Sequence, residues 1–274
     1  MKNKEEYNKM TKHRNEIVDV NERLHQTGYN NQGDLMEIIE YRNSMDITVR
    51  FLDKYNYTKK TSYKQFTAGS IKNPYHVFMG HNGYLGEGYY KSAYKINDKI
   101  VKDPAYFAWV AIHRRAGDFA GERPSYIDVE VDETWCNYQN FAKWYHKNIY
   151  KIEGEHVCID KDILYPGNNV YGPDTCIIIP DRFNQIFKKE LFETLKNGLK
   201  PRSDTNKEVY RVQYKEKVDG LYEKFSEKFY NHDEAFEFYK EKKLKLIRDL
   251  AEDYRDKVPE RIYNIFANYT FDNI

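Results

Sequence analysis

Tyrosine is the feature that most constrains this chain: 26 of its 274 residues are tyrosine, and 16% of all residues are aromatic. Many of these rings alternate with lysine, arginine and asparagine instead of joining long apolar runs. Such rings bury an apolar body and keep a polar tip near water, so they favour several small cores capped by tyrosine hydroxyls. The same composition also suits a protein that lays aromatic and amide groups on a polar polymer.

The charges of the chain nearly cancel, with 44 Lys and Arg against 43 Asp and Glu. Net charge by itself therefore indicates neither a nucleic acid, nor a membrane surface, nor an acidic substrate. No apolar run approaches the roughly 20 residues that span a bilayer, so we expect no membrane partner. The three cysteines lack CxxC spacing, which excludes a zinc site of four thiolates and favours a reduced, cytoplasmic chain.

Turn-forming residues and polar segments divide the sequence into four predicted parts, which together predict an α+β fold. These parts are a charged arm, a small β-rich unit with a glycine-rich connector, an aromatic segment followed by strand–turn–strand–helix, and a unit of strands followed by helices. They occupy residues 1–30, 31–103, 104–200 and 207–274. Breaks are expected at 124–126 and along the polar linker 202–206.

Residue alternation predicts strands near both ends of the chain. In the second part, Met36 to Ile38 and Ile47 to Phe51 alternate as half-buried strands do. In the last part, residues 210–214 and 221–230 alternate on either side of Asp219-Gly220, which is a hairpin turn signal. A capped helix with one apolar face is expected to follow.

A group of oxygen-bearing side chains follows a short apolar strand at Val157 to Ile159. Because side chains alternate along a strand, Asp160 and Asp162 should share one face while Lys161 points to the other. A predicted helix further along carries Asn184, and packing across the strands would bring its amide to a carboxylate. Oxygen ligands of this kind suit Mg²⁺ or Mn²⁺, which would stabilise the charge that develops when a phosphodiester is cleaved.

These segments resemble the ββα-metal unit of phage-encoded HNH (His-Me finger) endonucleases, in which a strand-end acid, an Asn-rich turn, a second strand and a ligand-bearing helix follow one another. The corresponding segments here are Asp160-Lys161-Asp162, Asn168-Asn169, 172–176 and Asn184-Gln185, after a leader at Trp135 to Phe141 with Trp144. The resemblance implies catalytic roles for Asp160, Lys161 and Asp162. It also implies that Asp160 and Asn184 bind the metal.

Residues 207–274 are similar to the AP2 DNA-binding domain, which places a three-stranded sheet on a helix. Tyr210-Arg211-Val212 corresponds to its first strand, and 233–239 to its helix. The likeness implies double-stranded DNA as the partner, with alternate side chains of the sheet in the major groove. The expected nucleic-acid-binding residues are Arg211, Gln213, Lys215, Lys224 and Lys228.

Departures from these families leave alternatives open. The general base of HNH enzymes is a histidine, but Lys161 stands there, and two flanking carboxylates favour its charged form and make it a poor base. Asp162, a metal-bound water or the nearby His156 would have to replace it. Three acidic residues on the C-terminal strands are equally compatible with an ordinary solvated sheet face: Glu216, Glu223 and Glu227.

Two functions are therefore predicted. The first is a phage DNA-binding protein related to HNH homing-type endonucleases, with metal-dependent cleavage left open. The alternative is a catalytically inactive HNH-like phage protein that binds a host protein, such as an inhibitor of a nucleic-acid-targeting defence system of the anti-CRISPR type. The near-neutral charge favours a protein partner over DNA binding without catalysis. Either protein would act in the cytoplasm of the bacterial host cell.

Overall fold

The computed structural model describes four stretches of the chain: residues 20–80, 82–117, 128–201 and 209–271. Three sequence predictions lie outside the described residues: 1–19 of the arm, the break at 124–126 and the linker 202–206. The fold is α+β, as predicted. The chain forms two compact units: 1–78 with 84–89, and 79–83 with 90–274. Within the described residues, no helix is both long enough and apolar enough to cross a bilayer.

The first unit is built on a four-stranded antiparallel sheet in the order β1-β2-β3-β4. Its elements are α1 (Val20–Arg23), β1 (Thr27–Tyr29), β2 (Leu35–Asn43), β3 (Asp46–Phe51), β4 (Thr58–Thr61) and α2 (Tyr63–Thr67). The two strands predicted in this region are confirmed as β2 and β3. β1 belongs to the predicted arm, and pairing of Gly28 with Met36 holds it to the sheet.

One face of this sheet carries the core of the first unit. Phe66 of α2 packs on alternate residues of the central strands: Met36, Ile38, Ile47, Val49 and Phe51. Gly69 follows α2 with a φ of 62°, and a β-carbon at this position would lie 2.8 Å from the side-chain oxygen of Asn31. Glycine is therefore required here, and its carbonyl accepts the N–H of Asn31 at 2.7 Å.

The second unit contains many short elements. Its helices are α3 (Pro104–Ala116), α4 (Glu133–Cys136), α5 (Tyr138–Asn148), α6 (Asp181–Asn184), α7 (Lys189–Asn197), α8 (His232–Asp253) and α9 (Glu260–Ala267). Its strands are β5 (Ala93–Ile96), β6 (Lys99–Lys102), β7 (Glu130–Val131), β8 (Val157–Asp160), β9 (Val170–Tyr171), β10 (Ile177–Pro180), β11 (Tyr210–Val218) and β12 (Leu221–Phe229). The strands pair as β5 with β6, β7 with β9, β8 with β10, and β11 with β12.

The aromatic leader belongs to the core of this unit, which is the more common role of aromatic residues at helical spacing. Trp135 and Phe141 are buried, and their rings meet edge to face with 5.0 Å between centroids. The helical segment is divided into α4 and α5 at Asn137. This residue leaves the helical conformation, and its side chain caps α5 by accepting the N–H of Gln139.

A second aromatic cluster joins α6 to the two C-terminal helices. Phe183 of α6 stacks on Phe266 of α9 with 3.8 Å between ring centroids. Tyr254, at the end of α8, meets Phe183 edge on at 5.4 Å. All three side chains are buried. The cluster therefore sets where the charged residues of α6 lie relative to α8.

The last predicted unit forms a hairpin packed on the long helix α8. Asp219 and Gly220 join β11 to β12 with positive φ angles of 46° and 84°, as a type I′ turn requires. Tyr210 and Val212 of β11 are buried against Ala235 of α8. The AP2 resemblance implied three strands, whereas the sheet has two within the described residues. After β12 the chain turns almost directly into α8, which leaves no third strand on that side.

Candidate nucleic-acid interface

Asp160 lies at the end of β8 and stabilises the turn that follows. Its Oδ1 atom accepts hydrogen bonds from the backbone N–H groups of Asp162 and Ile163, each at 2.9 Å. The side chain is only 7% exposed. Burial raises the pKa of Asp160 above its usual 3.8 in spite of these two hydrogen bonds. The carboxylate therefore serves the conformation of the loop.

Lys161 is buried beside Asp160, and its ammonium group is paired twice. Nζ donates to the Asp162 carboxylate at 2.6 Å and to the Asn168 carbonyl at 2.5 Å. The Asn168 amide in turn donates to the Lys161 carbonyl at 3.0 Å. The predicted alternation of faces is wrong here, because β8 ends at Asp160 and the chain turns. Lys161 and Asp162 contact each other instead of pointing to opposite faces.

Asn184 lies on α6, near the other end of the paired strands β8 and β10. The antiparallel register sets Asp160 opposite Ile177 at the start of β10, whereas α6 begins where β10 ends. Three residues of strand, about 10 Å, separate these two ends of the β8–β10 pair. The carbonyl of His156 is also at the α6 end, where it accepts the N–H of Asp181. The register therefore places neither the amide nor the nearest histidine beside Asp160.

The side chains around Asp160 do not fit a divalent metal ion. Oδ1 of Asp160 already accepts two N–H groups, and the Lys161 ammonium lies on the neighbouring Asp162 carboxylate, where it would repel a second cation. In the described part of the chain, no group of three or more His, Cys, Asp or Glu residues could hold a metal ion. The metal-binding role of Asp160 and Asn184 and the catalytic role of residues 160–162 remain predictions from the resemblance.

We expect Asp160→Ala to lower the free energy of unfolding by about 2 kcal/mol, because two N–H groups of a buried turn lose their acceptor. Asp160→Asn keeps an acceptor oxygen and removes the buried charge, so it should be at least as stable as the wild type at neutral pH. Urea unfolding of both variants, with and without Mg²⁺, measures these differences.

The raised pKa of Asp160 also sets the pH dependence of this effect. Between the unfolded-state value of 3.8 and the higher folded-state value, the folded protein binds more protons than the unfolded chain. The free energy of unfolding of the wild type therefore falls as the pH rises through this window. The free energy of unfolding of Asp160→Asn should rise relative to that of the wild type over the same window. Stabilisation of the wild type by Mg²⁺, absent in Asp160→Asn, would contradict the structural role and favour a metal site.

The five residues predicted to contact DNA lie together on one exposed face of the β11–β12 hairpin. Directly opposite residues of an antiparallel pair share a face. Three such pairs make up this surface, which we call the basic face: Arg211–Lys228, Gln213–Ser226 and Lys215–Lys224. All six side chains are exposed. The basic face therefore consists of four cations, one amide and one hydroxyl group.

Two pairs of the basic face set like charges directly opposite each other. Arg211 lies opposite Lys228, and Lys215 lies opposite Lys224. Such pairs destabilise a sheet. Within the described residues, none of these four cations forms an ion pair. A bound polyanion would relieve the repulsion.

The acidic residues of the strands β11 and β12 lie on the opposite face. Glu216 pairs with Glu223, and Glu227 pairs with the buried Val212. Lys242 of α8 donates to Glu216 at 2.7 Å, and this hydrogen bond lowers the pKa of the Glu216 carboxyl. The register thus separates acidic from basic residues that follow one another along the same strands.

A second basic surface adjoins the basic face, and the sequence did not indicate it. A groove of about 670 Å³ lies between the hairpin, α6 and α8. We call it the basic groove, because none of its fifteen lining residues is acidic and six are cationic: Arg182, Lys188, Lys215, Lys224, Lys242 and Lys243. These residues come from three separate segments of the sequence, 182–188, 215–224 and 242–243, so no local pattern could have joined them.

A scan against protein-family models, a search of curated proteins and a search of solved structures each found no match. The description of the protein therefore depends on its own structure: it is an α+β protein whose C-terminal hairpin carries a basic face beside a basic groove. Its likeness to HNH and AP2 proteins remains an expectation from the sequence.

Proposed function

We propose that this protein binds double-stranded DNA through the basic face of its C-terminal hairpin. The observation that supports this function is the cross-strand register, which sets Arg211 opposite Lys228 and Lys215 opposite Lys224. In the free protein these cations repel each other, and no acidic residue in the described part of the chain forms an ion pair with them. A DNA backbone would neutralise them and release its own condensed counterions, which is the main source of affinity in such complexes.

The shape of the hairpin also suits a duplex. A two-stranded antiparallel ribbon fits the major groove, which is about 12 Å wide. β11 and β12 have nine residues each. Arg211 and Gln213 alternate on the basic face with side chains that can read guanine and adenine edges, while the lysines suit phosphates. The hairpin therefore offers both positioning contacts and base contacts on one surface.

A salt series of duplex binding tests this function. Four cations that each contact one phosphate predict that log K falls with log salt concentration at a slope of about −3.6. Fluorescence anisotropy of a labelled duplex between about 50 and 200 mM NaCl measures this slope. A slope near zero, or no binding at the lowest salt concentration, would remove the phosphate contacts and the proposal with them.

Cleavage with Mg²⁺ or Mn²⁺ stays a prediction from the resemblance, separate from this proposal. Asp160 and Lys161 are engaged in the loop after β8, so the described geometry supplies no catalytic step. Binding of a host defence protein likewise stays a prediction from the sequence.

A further inference from the structure

The basic groove has the charge of an anion-binding site in its own right. Four of its cations lie outside the basic face: Arg182, Lys188, Lys242 and Lys243. Lys242 is partly neutralised by Glu216, to which it donates at 2.7 Å. The other three come from two different parts of the sequence and converge on one concave surface. A chain with nearly equal numbers of acids and bases has here segregated its positive charge.

Aromatic rings hold two of the groove cations in place. The guanidinium of Arg182 lies 5.7 Å from the centroid of the Tyr222 ring. The ammonium of Lys242 lies 5.1 Å from the centroid of the Tyr214 ring. Cations that are already positioned lose less side-chain entropy when an anion binds, so they contribute more to affinity than free surface lysines.

The size and walls of the groove select the kind of anion. A volume of about 670 Å³ is that of a small-ligand pocket and cannot admit a duplex. The walls also include the partly exposed rings of Tyr214, Tyr222 and Phe225 and the aliphatic side chain of Leu246. Cations together with aromatic rings are the combination that binds single strands, because the backbone follows the charge and bases stack on the rings.

We infer that the basic groove binds a single strand of nucleic acid, with phosphates on Arg182 and Lys188 and a base against Tyr222. This activity goes beyond duplex binding by the basic face. The two are separable because Arg211 and Lys228 do not line the groove. Two lysines of the basic face also line the groove, so a strand that leaves a duplex can pass from one surface to the other.

Two variants of the full chain separate the surfaces. Arg182→Gln with Lys188→Gln removes two groove cations, whereas Lys228→Glu reverses one charge of the basic face. A labelled oligothymidylate of about 12 nucleotides, within the site size of single-strand binders, and a labelled duplex are titrated with each protein at about 100 mM salt. The groove variant should bind the oligothymidylate about twentyfold more weakly and the duplex as the wild type does. Lys228→Glu should show the reverse.

The outcomes are distinguishable from those for duplex binding. Unchanged oligothymidylate binding by the groove variant, or an equal loss with the duplex, would overturn the inference. Because Arg182 is the neighbour of the buried Phe183 in α6, Lys188→Gln with Lys243→Gln serves as a second variant that leaves Arg182 unchanged and should show a similar loss. Wild-type protein that binds oligothymidylate but no duplex would contradict the proposed function and support this inference alone.

A competition experiment distinguishes between a single strand and a small phosphate anion as the ligand of the groove. Pyrophosphate is added to the complex of wild-type protein and labelled oligothymidylate at the same ionic strength. We expect no displacement at an equal concentration of phosphate groups, because pyrophosphate lacks the base that stacks on the rings. Full displacement at that concentration would assign the groove to small phosphate anions and overturn the proposal of a strand.

Discussion

Lys224→Glu combined with Lys228→Glu is expected to weaken duplex binding at least a hundredfold while making the hairpin slightly more stable. Each new carboxylate lies opposite a cation, Lys215 or Arg211, so a repulsive pair becomes an attractive pair worth about 0.2–1 kcal/mol. The same carboxylates neutralise the remaining cations. Removal of one lysine–phosphate interaction weakens binding about tenfold at roughly 0.1 M salt. Anisotropy titration measures the affinity, and urea unfolding measures the stability.

The opposite signs of these two effects make the experiment decisive, because a variant that binds weakly through misfolding would also lose stability. Lys59→Glu with Lys60→Glu is the matched control. It makes the same change of charge at two exposed residues of β4 in the first unit. Its duplex affinity should stay within about threefold of the wild type, because neither lysine belongs to the basic face and only cations that contact phosphates release counterions. Equal losses in both double variants would show that only net charge matters and would contradict the interface.

Phe183→Ala is expected to lower the free energy of unfolding of the second unit by about 4 kcal/mol. The ring is 0% exposed, stacks on Phe266 and meets Tyr254 edge on. Its removal leaves a cavity where α6, α8 and α9 meet, and the surrounding rings are too large to fill it without moving backbone. Urea unfolding followed by near-ultraviolet circular dichroism reports the loss, because the signal comes from packed aromatic rings.

Phe107→Ala provides the comparison for this effect. Phe107 lies on α3 and is 58% exposed, so its truncation should change the stability by no more than about 0.5 kcal/mol. A cost below about 1 kcal/mol for Phe183→Ala would contradict the packing described for the aromatic cluster. It would also weaken the basis of the groove, because Arg182 is the neighbour of Phe183 on α6.

The C-terminal hairpin was predictable because its signals are local. Alternation with a period of two fixed which residues share a face, and Asp219-Gly220 can adopt the positive φ angles of the turn. Once the turn sets the register, every cross-strand pair follows. The five expected DNA-contacting residues therefore fall on one face, and their opposition in like-charged pairs is a consequence of the register.

The loop after β8 was not predictable in the same way. Alternation of faces holds only while a strand continues, and the side chain of Asp160 ends this strand by accepting two N–H groups of its own turn. An aspartate side chain can accept backbone N–H groups of its own turn, but in many segments it does not do so, so the residue alone does not predict the turn. The burial of Lys161 depends on Asn168, which the following loop brings back to it. These contacts depend on how the loop closes.

The sequence by itself determined the α+β class, the paired strands at both ends of the chain and the residues of the basic face, because each depends on patterns that span only a few residues. Only the tertiary structure decided that Arg182 and Lys188 join the hairpin lysines around one groove. Their meeting depends on the stacking of Phe183, Tyr254 and Phe266, which are distant in sequence and follow no common period. Such long-range packing produces no local sequence pattern, so the groove could not be predicted from the sequence.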